Sequence, residues 1–160
     1  MKTADLIDSH ASDLTLVHLP FRRFGTKTHI AGPVQTVKCF EDNTFVRAQL
    51  DTPGDGRILV VDGGGSTRIA LLGDMLAQQA IDNGWAGIVL NGAIRDSAEI
   101  AEMNTLVFAL ATSPVKSAKK GWGEASVRID VGGAAVAPGH WAYADADGVL
   151  ISSRSLVEVS

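Results

Sequence analysis

The stretch "RILVVDGGGSTRIALLGDMLAQQAIDNGWAGIVLN", residues 57–91, constrains the fold more than any other part of the chain. Its opening "RILVVD" is a continuous apolar run between turn residues, the pattern of a strand buried on both faces. "DMLAQQAIDNG" (74–84) then sets Leu76, Ala77, Ala80 and Ile81 on one helical face and Gln78, Gln79 and Asp82 on the other, with Gly84 as the stop. "GIVLN" (87–91) is a second buried strand, a short helix over Ser97 to Met103 follows, and "LVFALA" (106–111) is a third apolar run. Strand, helix, strand, helix, strand predicts a parallel sheet whose crossovers are right-handed.

The flanks read differently. "TADLIDSH" is a short helix, and "LPFRRFGTKTHIAGP" is expected to wrap irregularly because its Gly and Pro argue against a long element. "VQTVKCF" alternates as a strand, and "EDNTFVRAQLD" spaces Phe45, Val46 and Leu50 along one helical face before Pro53-Gly54 closes it. Near the C-terminus "SVRIDVGG" alternates, and "HWAYADADGVLISS" predicts two strands joined at Asp147-Gly148. The expected class is α/β, a parallel β-α-β core with antiparallel additions. With neither repeat nor linker in sight, residues 1–160 read as a single domain.

Charge and cysteine content narrow the function. A net charge of -4, with basic residues clustered only at Arg22-Arg23 and Lys116 to Lys120, argues against a nucleic-acid ligand. Asp5, Asp8 and Asp13 stand where a signal peptide needs an apolar run, and nothing approaches the ~20 apolar residues of a membrane span, so a cytoplasmic location is expected. Cys39, the single cysteine, has no disulfide partner and reads as a core residue. His10, His18, His29 and His140 lack zinc-site spacing, "DADG" (145–148) lacks the other ligands of a calcium loop, and Lys38 reads as a charge at a strand edge rather than a Schiff-base lysine.

The crossover places chemistry at one edge. The N-terminus of helix 74–84 should lie beside the C-terminal ends of strands 57–62 and 87–91, and Arg95 and Asp96 leave from that same edge. Orphan amides from Gly73, Asp74, Met75 and Leu76 suit a carboxylate or phosphate, the Arg95 fork can grip a second oxygen pair, and Asp96 can hold Mg²⁺ or Mn²⁺. Together they would seat a 2-oxo acid on a divalent metal, whose Lewis acidity stabilises the enolate of a retro-aldol cleavage or β-decarboxylation. A plainer reading stands beside this one. Asp74 can simply cap its helix, Asp96 with Glu99 has the spacing of a capping box, and Arg95 can be a surface residue. Capping and ligation use different lone pairs of one carboxylate, so Asp96 can do both. "VVDGGGS" falls short of a dinucleotide or methyltransferase loop, because the third glycine position is Arg68 and no helix follows at once.

"VVDGGGSTRIALLGDMLAQQAIDNGWAGIVLNGAIRDSAEI", with "YADADGVLIS" after it, resembles the RraA-like family, which holds the regulator of ribonuclease E activity A and the class II 4-hydroxy-4-methyl-2-oxoglutarate aldolases. The likeness runs from about "TADLIDSH" to "DGVLISS". Its most specific part is Gly73-Asp74 followed, 21 residues after the aspartate, by Arg95-Asp96 and then Glu99. The resemblance implies a swivelling β/β/α fold, trimers or dimers of trimers, and a site between subunits. It implies that the amides of Gly73 to Leu76 bind the pyruvate carboxylate, that Arg95 contacts substrate, that Asp96 carries the divalent metal, and that a metal-bound water acts as general base or acid. Oxaloacetate decarboxylation would be a second activity. The resemblance further implies that longer aldolase members add an acidic residue across the interface from a C-terminal extension, which this sequence is expected to lack.

Two functions therefore compete: a metal-dependent lyase acting on 4-hydroxy-2-oxo diacids, and a regulator that binds ribonuclease E without chemistry. The intact Arg95-Asp96 pair favours the lyase, since a pure binding module has no use for a metal ligand, while an acidic surface suits docking to a basic partner. Asp62, Arg68 and Glu124 are left unassigned, with Glu124 expected at the surface or an interface.

Overall fold

The computed structural model describes residues 2–156, so the first residue and the last four of the expected domain lie outside what is described. Along the chain, α1 (Thr3–His10) and one 3-10 turn lead to β1 (Leu14–Leu16), β2 (Arg22–Phe24), β3 (Ile30–Lys38) and α2 (Thr44–Leu50). Then come β4 (Ile58–Asp62), β5 (Ala70–Leu72), α3 (Asp74–Asp82), β6 (Gly87–Asn91), β7 (Ala93–Ile94) and α4 (Ser97–Ala101). β8 (Val107–Ala109), β9 (Ala111–Thr112), β10 (Glu124–Ala125), β11 (Ile129–Val131), β12 (Ala134–Val136), β13 (Trp141–Asp145) and β14 (Gly148–Ser152) follow.

The main sheet is ordered β1-β14-β13-β3-β4-β6-β8-β2, with β10 added to β3. Its centre, β3-β4-β6-β8, is parallel, as the three apolar runs require. Its flanks are antiparallel, so the α/β class with antiparallel additions holds. The apolar run of β4 is explained by cover on both faces. Leu59 and Val61 pack with Leu50, Ala77 and Ala80 under α2 and α3, whereas Ile58 and Val60 pack with Phe108, Val131 and Val136 against the β11-β12 hairpin. Each such side chain contributes about 1.5–3 kcal/mol on full burial. No helix among the described residues is long and apolar enough to cross a membrane.

α3 follows its pattern: Leu76, Ala77 and Ala80 are buried, and the helix stops where Gly84, at φ 80°, returns its N–H to the Ile81 carbonyl. The stretch expected to wrap irregularly does not wholly do so. β2 forms within it, and β3 begins four residues early, at Ile30, running through Gly32 and Pro33. Gly32 is needed there because a Cβ would stand 2.3 Å from the Gly56 carbonyl oxygen. Pro33 is tolerated because the next N–H, that of Val34, makes the cross-strand bond to His140 O at 2.7 Å. A second, three-stranded parallel sheet, β5-β7-β9, has no counterpart in the sequence reading, and it is this small sheet that builds the site.

Candidate active site

β5, β7 and β9 bring their C-terminal ends into register, Leu72 beside Ile94 and Ile94 beside Thr112. The chain leaves Leu72 through Gly73 into α3, leaves Ile94 as Arg95-Asp96, and leaves Thr112 as an irregular strap over residues 113–121. Arg95 N–H donates to Leu72 O and Ser113 N–H to Ile94 O, both at 2.9 Å, which fixes the three exits against one another. The expected convergence of the helix start with Arg95 and Asp96 is therefore present. The edge differs: β5 and β7 of the small sheet supply it, because the chain makes an extra short strand after β4 and after β6 before reaching the site.

Asp96 sits at φ 56°, ψ 39°, a left-handed conformation uncommon outside glycine but tolerated by aspartate. The turn carries its carboxylate away from its own helix. No side-chain cap bond reaches α4; instead Oδ2 accepts the Asp74 N–H at 3.0 Å. The capping box with Glu99 does not form, and Asp96 caps α3 from outside. Gly73 makes the approach possible, since a Cβ there would stand 2.8 Å from Oδ2 and 3.5 Å from the Arg95 side chain. Asp74 does not cap its helix with its side chain, being the first residue inside it. Of the amides expected to be free, that of Asp74 is taken, while those of Met75 and Leu76 have no protein acceptor among the described residues.

The cleft around these groups is lined by Gly73, Asp74, Met75, Leu76, Arg95 and Asp96, and the structure brings all six together. It adds Asn43, Arg47, Lys116, Ser117 and Lys119, which the sequence reading did not assign. The signal for two of them was the Lys116 to Lys120 cluster, dismissed as too short for nucleic acid; nothing in the sequence marked Asn43 or Arg47. Asn43 is buried, its Nδ2 donates to Leu71 O at 3.2 Å, and its Oδ1 is buried without a partner. Next to Asn43 in the chain, Asp42 is fully buried. Its Oδ1 accepts from Thr44 N–H and Oγ1, at 2.9 and 2.7 Å, and its Oδ2 accepts from Lys120 N–H at 2.6 Å. Burial pushes the Asp42 carboxyl up, but hydrogen bonds from Thr44, Lys120 and Trp122 outweigh it and leave the group below the usual carboxylate range.

The unassigned residues lie elsewhere. Asp62 Oδ1 accepts Gly64 N–H at 3.0 Å, shaping the turn after β4. Arg68 grips Glu41 through Nε and Nη2 at 2.6 and 2.8 Å, and Ser66 Oγ donates to Glu41 at 2.6 Å. Glu124 is exposed on β10 opposite Lys38 and lines an apolar hollow with Phe40 and Trp122. Cys39 is buried, as expected of a core residue.

Asp96 and Asp74 are the carboxylates of the cleft, and no trio of His, Cys, Asp or Glu side chains is arranged as a metal cage among the described residues. Asp96 Oδ1, a hard oxygen donor free of hydrogen bonds among the described residues, fits a divalent cation of the Mg²⁺ kind, which keeps several waters and needs only one or two carboxylates.

The sequence matches the family model described as RraA-like, Aldolase/RraA, over residues 3–151. A protein of Alkalilimnicola ehrlichii named "Putative 4-hydroxy-4-methyl-2-oxoglutarate aldolase" is 51% identical over 156 residues, covering 98% of this chain and 97% of its own. A Burkholderia mallei protein of the same name is 51% identical over 161 residues, with 98% of each chain covered. Among solved structures, a Geobacillus kaustophilus protein described as an S-adenosylmethionine: 2-dimethylmenaquinone methyltransferase superposes with TM-score 0.95 at 50% identity, covering 98% of this chain and 97% of that one. The RNA-processing inhibitor RraA from Thermus thermophilis superposes with TM-score 0.94 at 43% identity, covering 99% and 96%.

Proposed function

The chain belongs to the RraA-like family, and from that premise we propose that it is a divalent-metal-dependent carbon–carbon lyase that releases pyruvate from 4-hydroxy-4-methyl-2-oxoglutarate and related 4-hydroxy-2-oxo acids, with oxaloacetate decarboxylation as a side activity. The observation that carries this reading is the meeting of Asp96, Arg95 and the start of α3 around Gly73. The names of the relatives at 51% identity agree with it.

Each group has a role in the proposed reaction. The free Met75 and Leu76 amides, at the positive end of α3, hold the carboxylate next to the 2-oxo group. Asp96 would hold Mg²⁺ or Mn²⁺; the bound cation supplies Lewis-acid polarisation of the 2-oxo oxygen. Arg95 donates hydrogen bonds to that same oxygen as charge develops on it. The C4 hydroxyl gives up its proton to water in the cleft, the C3–C4 bond breaks as its electron pair passes into the 2-oxo group to give the enolate of pyruvate, C4 leaves as a ketone carbonyl, and the enolate takes up a proton at C3 to give pyruvate. In oxaloacetate the same electron flow expels CO₂.

Methyl transfer gains no support from the fold. The glycine loop after β4 leads into β5, not into a helix whose N-terminus could meet a cofactor. The regulator reading is favoured by the name of the Thermus thermophilis neighbour, and binding to ribonuclease E would need no cleft of this kind. We propose assembly as homotrimers or dimers of trimers on the family resemblance alone.

The test is pyruvate release from 4-hydroxy-4-methyl-2-oxoglutarate and from oxaloacetate, with Mg²⁺ or Mn²⁺ or with a chelator, for the wild type and for Asp96→Asn. Metal-dependent turnover that the variant loses supports the lyase. No turnover on either compound with any divalent cation sinks it and leaves binding to ribonuclease E as the function to measure.

A further inference from the structure

The candidate cleft carries more positive charge than one oxo-acid carboxylate needs. Its charged lining consists of Arg47, Arg95, Lys116 and Lys119 against Asp74 and Asp96, a local excess of cations in a chain whose net charge is -4. The ion pairs among the described residues join Arg68 to Glu41 and Arg154 to Asp13, so Arg47, Lys116 and Lys119 have no carboxylate of their own. Like charges gathered without counter-charge repel, and here backbone tethering holds them together.

That tethering is extensive. Lys116 lies in the strap where Ala70 N–H donates to Val115 O at 2.8 Å and Ser113 Oγ donates to Arg68 O at 2.7 Å. Lys119 lies between Ala118, whose N–H donates to Glu41 O at 3.1 Å, and Lys120, whose N–H donates to Asp42 at 2.6 Å. Arg47 stands on α2, whose first residue, Thr44, is gripped by the same Asp42. One buried carboxylate thus fixes the bases of α2 and of the strap, two separate segments whose cations line the one cleft.

Resting on the lyase reading, which assigns the first carboxylate to the α3 amides, we propose that Arg47, Lys116 and Lys119 form a distal-anion subsite that selects 2-oxo acids carrying a second carboxylate over the corresponding monoacids. A guanidinium and two ammonium groups are opposite in charge to a carboxylate and supply the donors it accepts from, and would repel a divalent cation. The subsite determines specificity and takes no part in bond breaking.

The experiment compares pyruvate release from 4-hydroxy-4-methyl-2-oxoglutarate and from 4-hydroxy-4-methyl-2-oxopentanoate, in which a methyl group replaces the distal carboxylate. Wild type is set against Arg47→Met, Lys119→Met and the triple variant with Lys116→Met, each checked by circular dichroism and thermal unfolding. The wild-type preference for the diacid should fall about tenfold in the triple variant, through KM and not kcat, and should shrink with added salt. A preference that survives in a folded triple variant overturns the proposal. Should the wild type release no pyruvate from either compound, the lyase reading fails separately, and calorimetric binding of 2-oxoglutarate against 2-oxopentanoate in the presence of Mg²⁺ decides the subsite. Tighter 2-oxoglutarate binding that the triple variant loses supports it, and equal affinities overturn it.

Discussion

The Asp96 carboxylate accepts a hydrogen bond from the Asp74 amide at 3.0 Å, so one acidic side chain closes the N-terminus of a helix to which it does not belong. A negative charge at a helix start is worth about 0.3–1 kcal/mol, and the hydrogen bond adds to it. Asn at position 96 keeps the acceptor and tolerates the left-handed backbone, but loses the charge. Asp96→Asn should therefore lower stability by no more than about 1 kcal/mol in urea unfolding, while metal-dependent pyruvate release falls about a hundredfold or more. Equal loss of both would make Asp96 a structural cap and nothing else.

Gly73→Ala separates geometry from charge. Gly73 has φ -128°, which alanine adopts freely, so its need for glycine comes from space: the Cβ would meet Asp96 Oδ2 at 2.8 Å. The methyl group pushes the carboxylate off the Asp74 amide without removing it. We expect about 1 kcal/mol lost from stability, at least tenfold weaker activation by Mn²⁺ in a metal titration, and an unchanged far-ultraviolet dichroism spectrum. Wild-type metal activation in this variant would show that the contact between positions 73 and 96 does not position the carboxylate.

How far the sequence disclosed this arrangement depends on element length. β4, α3 and β6 run five to nine residues and showed their period, and the β13-β14 hairpin showed its turn. β5, β7 and β9 run two or three residues, too few for any period to register, yet their ends decide which backbone meets Arg95 and Asp96. Asp96 and Glu99 matched a capping box by spacing, but spacing does not report the left-handed turn that sends the carboxylate to α3 instead. The basic lining of the cleft joins Arg47 to Lys119 across residues far apart in sequence, brought together by the buried Asp42 and by the backbone bonds of Ala118 to Glu41 and Asn43.

Gly32 is the opposite case: its residue type predicts a break, yet it lies inside a nine-residue strand. The Gly56 carbonyl oxygen lies 2.3 Å from where its Cβ would be, and backbone on both sides leaves nothing to swing away. Gly32→Ala should cost about 3 kcal/mol or more, or prevent folding. Gly56→Ala makes a useful contrast, because no atom lies within 4 Å of its added Cβ and only its φ of 77° opposes the change. It should cost about 1–2 kcal/mol by the same unfolding measurement. A reversed order would refute the close approach.

Acid should unlock the loop beside the apolar hollow. Hydrogen bonds from Arg68, then from Ser66, hold the Glu41 carboxyl at about 2, below its ordinary 4.5. A carboxyl depressed in the folded state stabilises fully above its unfolded pKa, and that contribution fades as pH falls from about 4.5 through about 2. Glu41→Gln should flatten this limb of a plot of unfolding midpoint against pH without abolishing it, because Asp42 and Asp145 are also held low and keep their share. Arg68 is 76% exposed, so 0.5 M salt should shrink the difference between wild type and variant.

Cys39 offers a readout of folding itself. Burial, then the nearby charges of Asp42 and Asp62, push its thiol up to about 12, so at pH 8 only about one molecule in ten thousand presents the thiolate. An alkylating reagent at that pH should leave the native chain untouched over hours and modify it at the rate of local opening around β3. Reaction should become stoichiometric in denaturant, with a midpoint matching that of dichroism. Asp42→Asn removes one of the charges raising the thiol and loosens the strap through Lys120, so labelling should accelerate on both counts. Rapid labelling of the folded wild type would place Cys39 in solvent and contradict its packing among Val37, Val46 and Leu59.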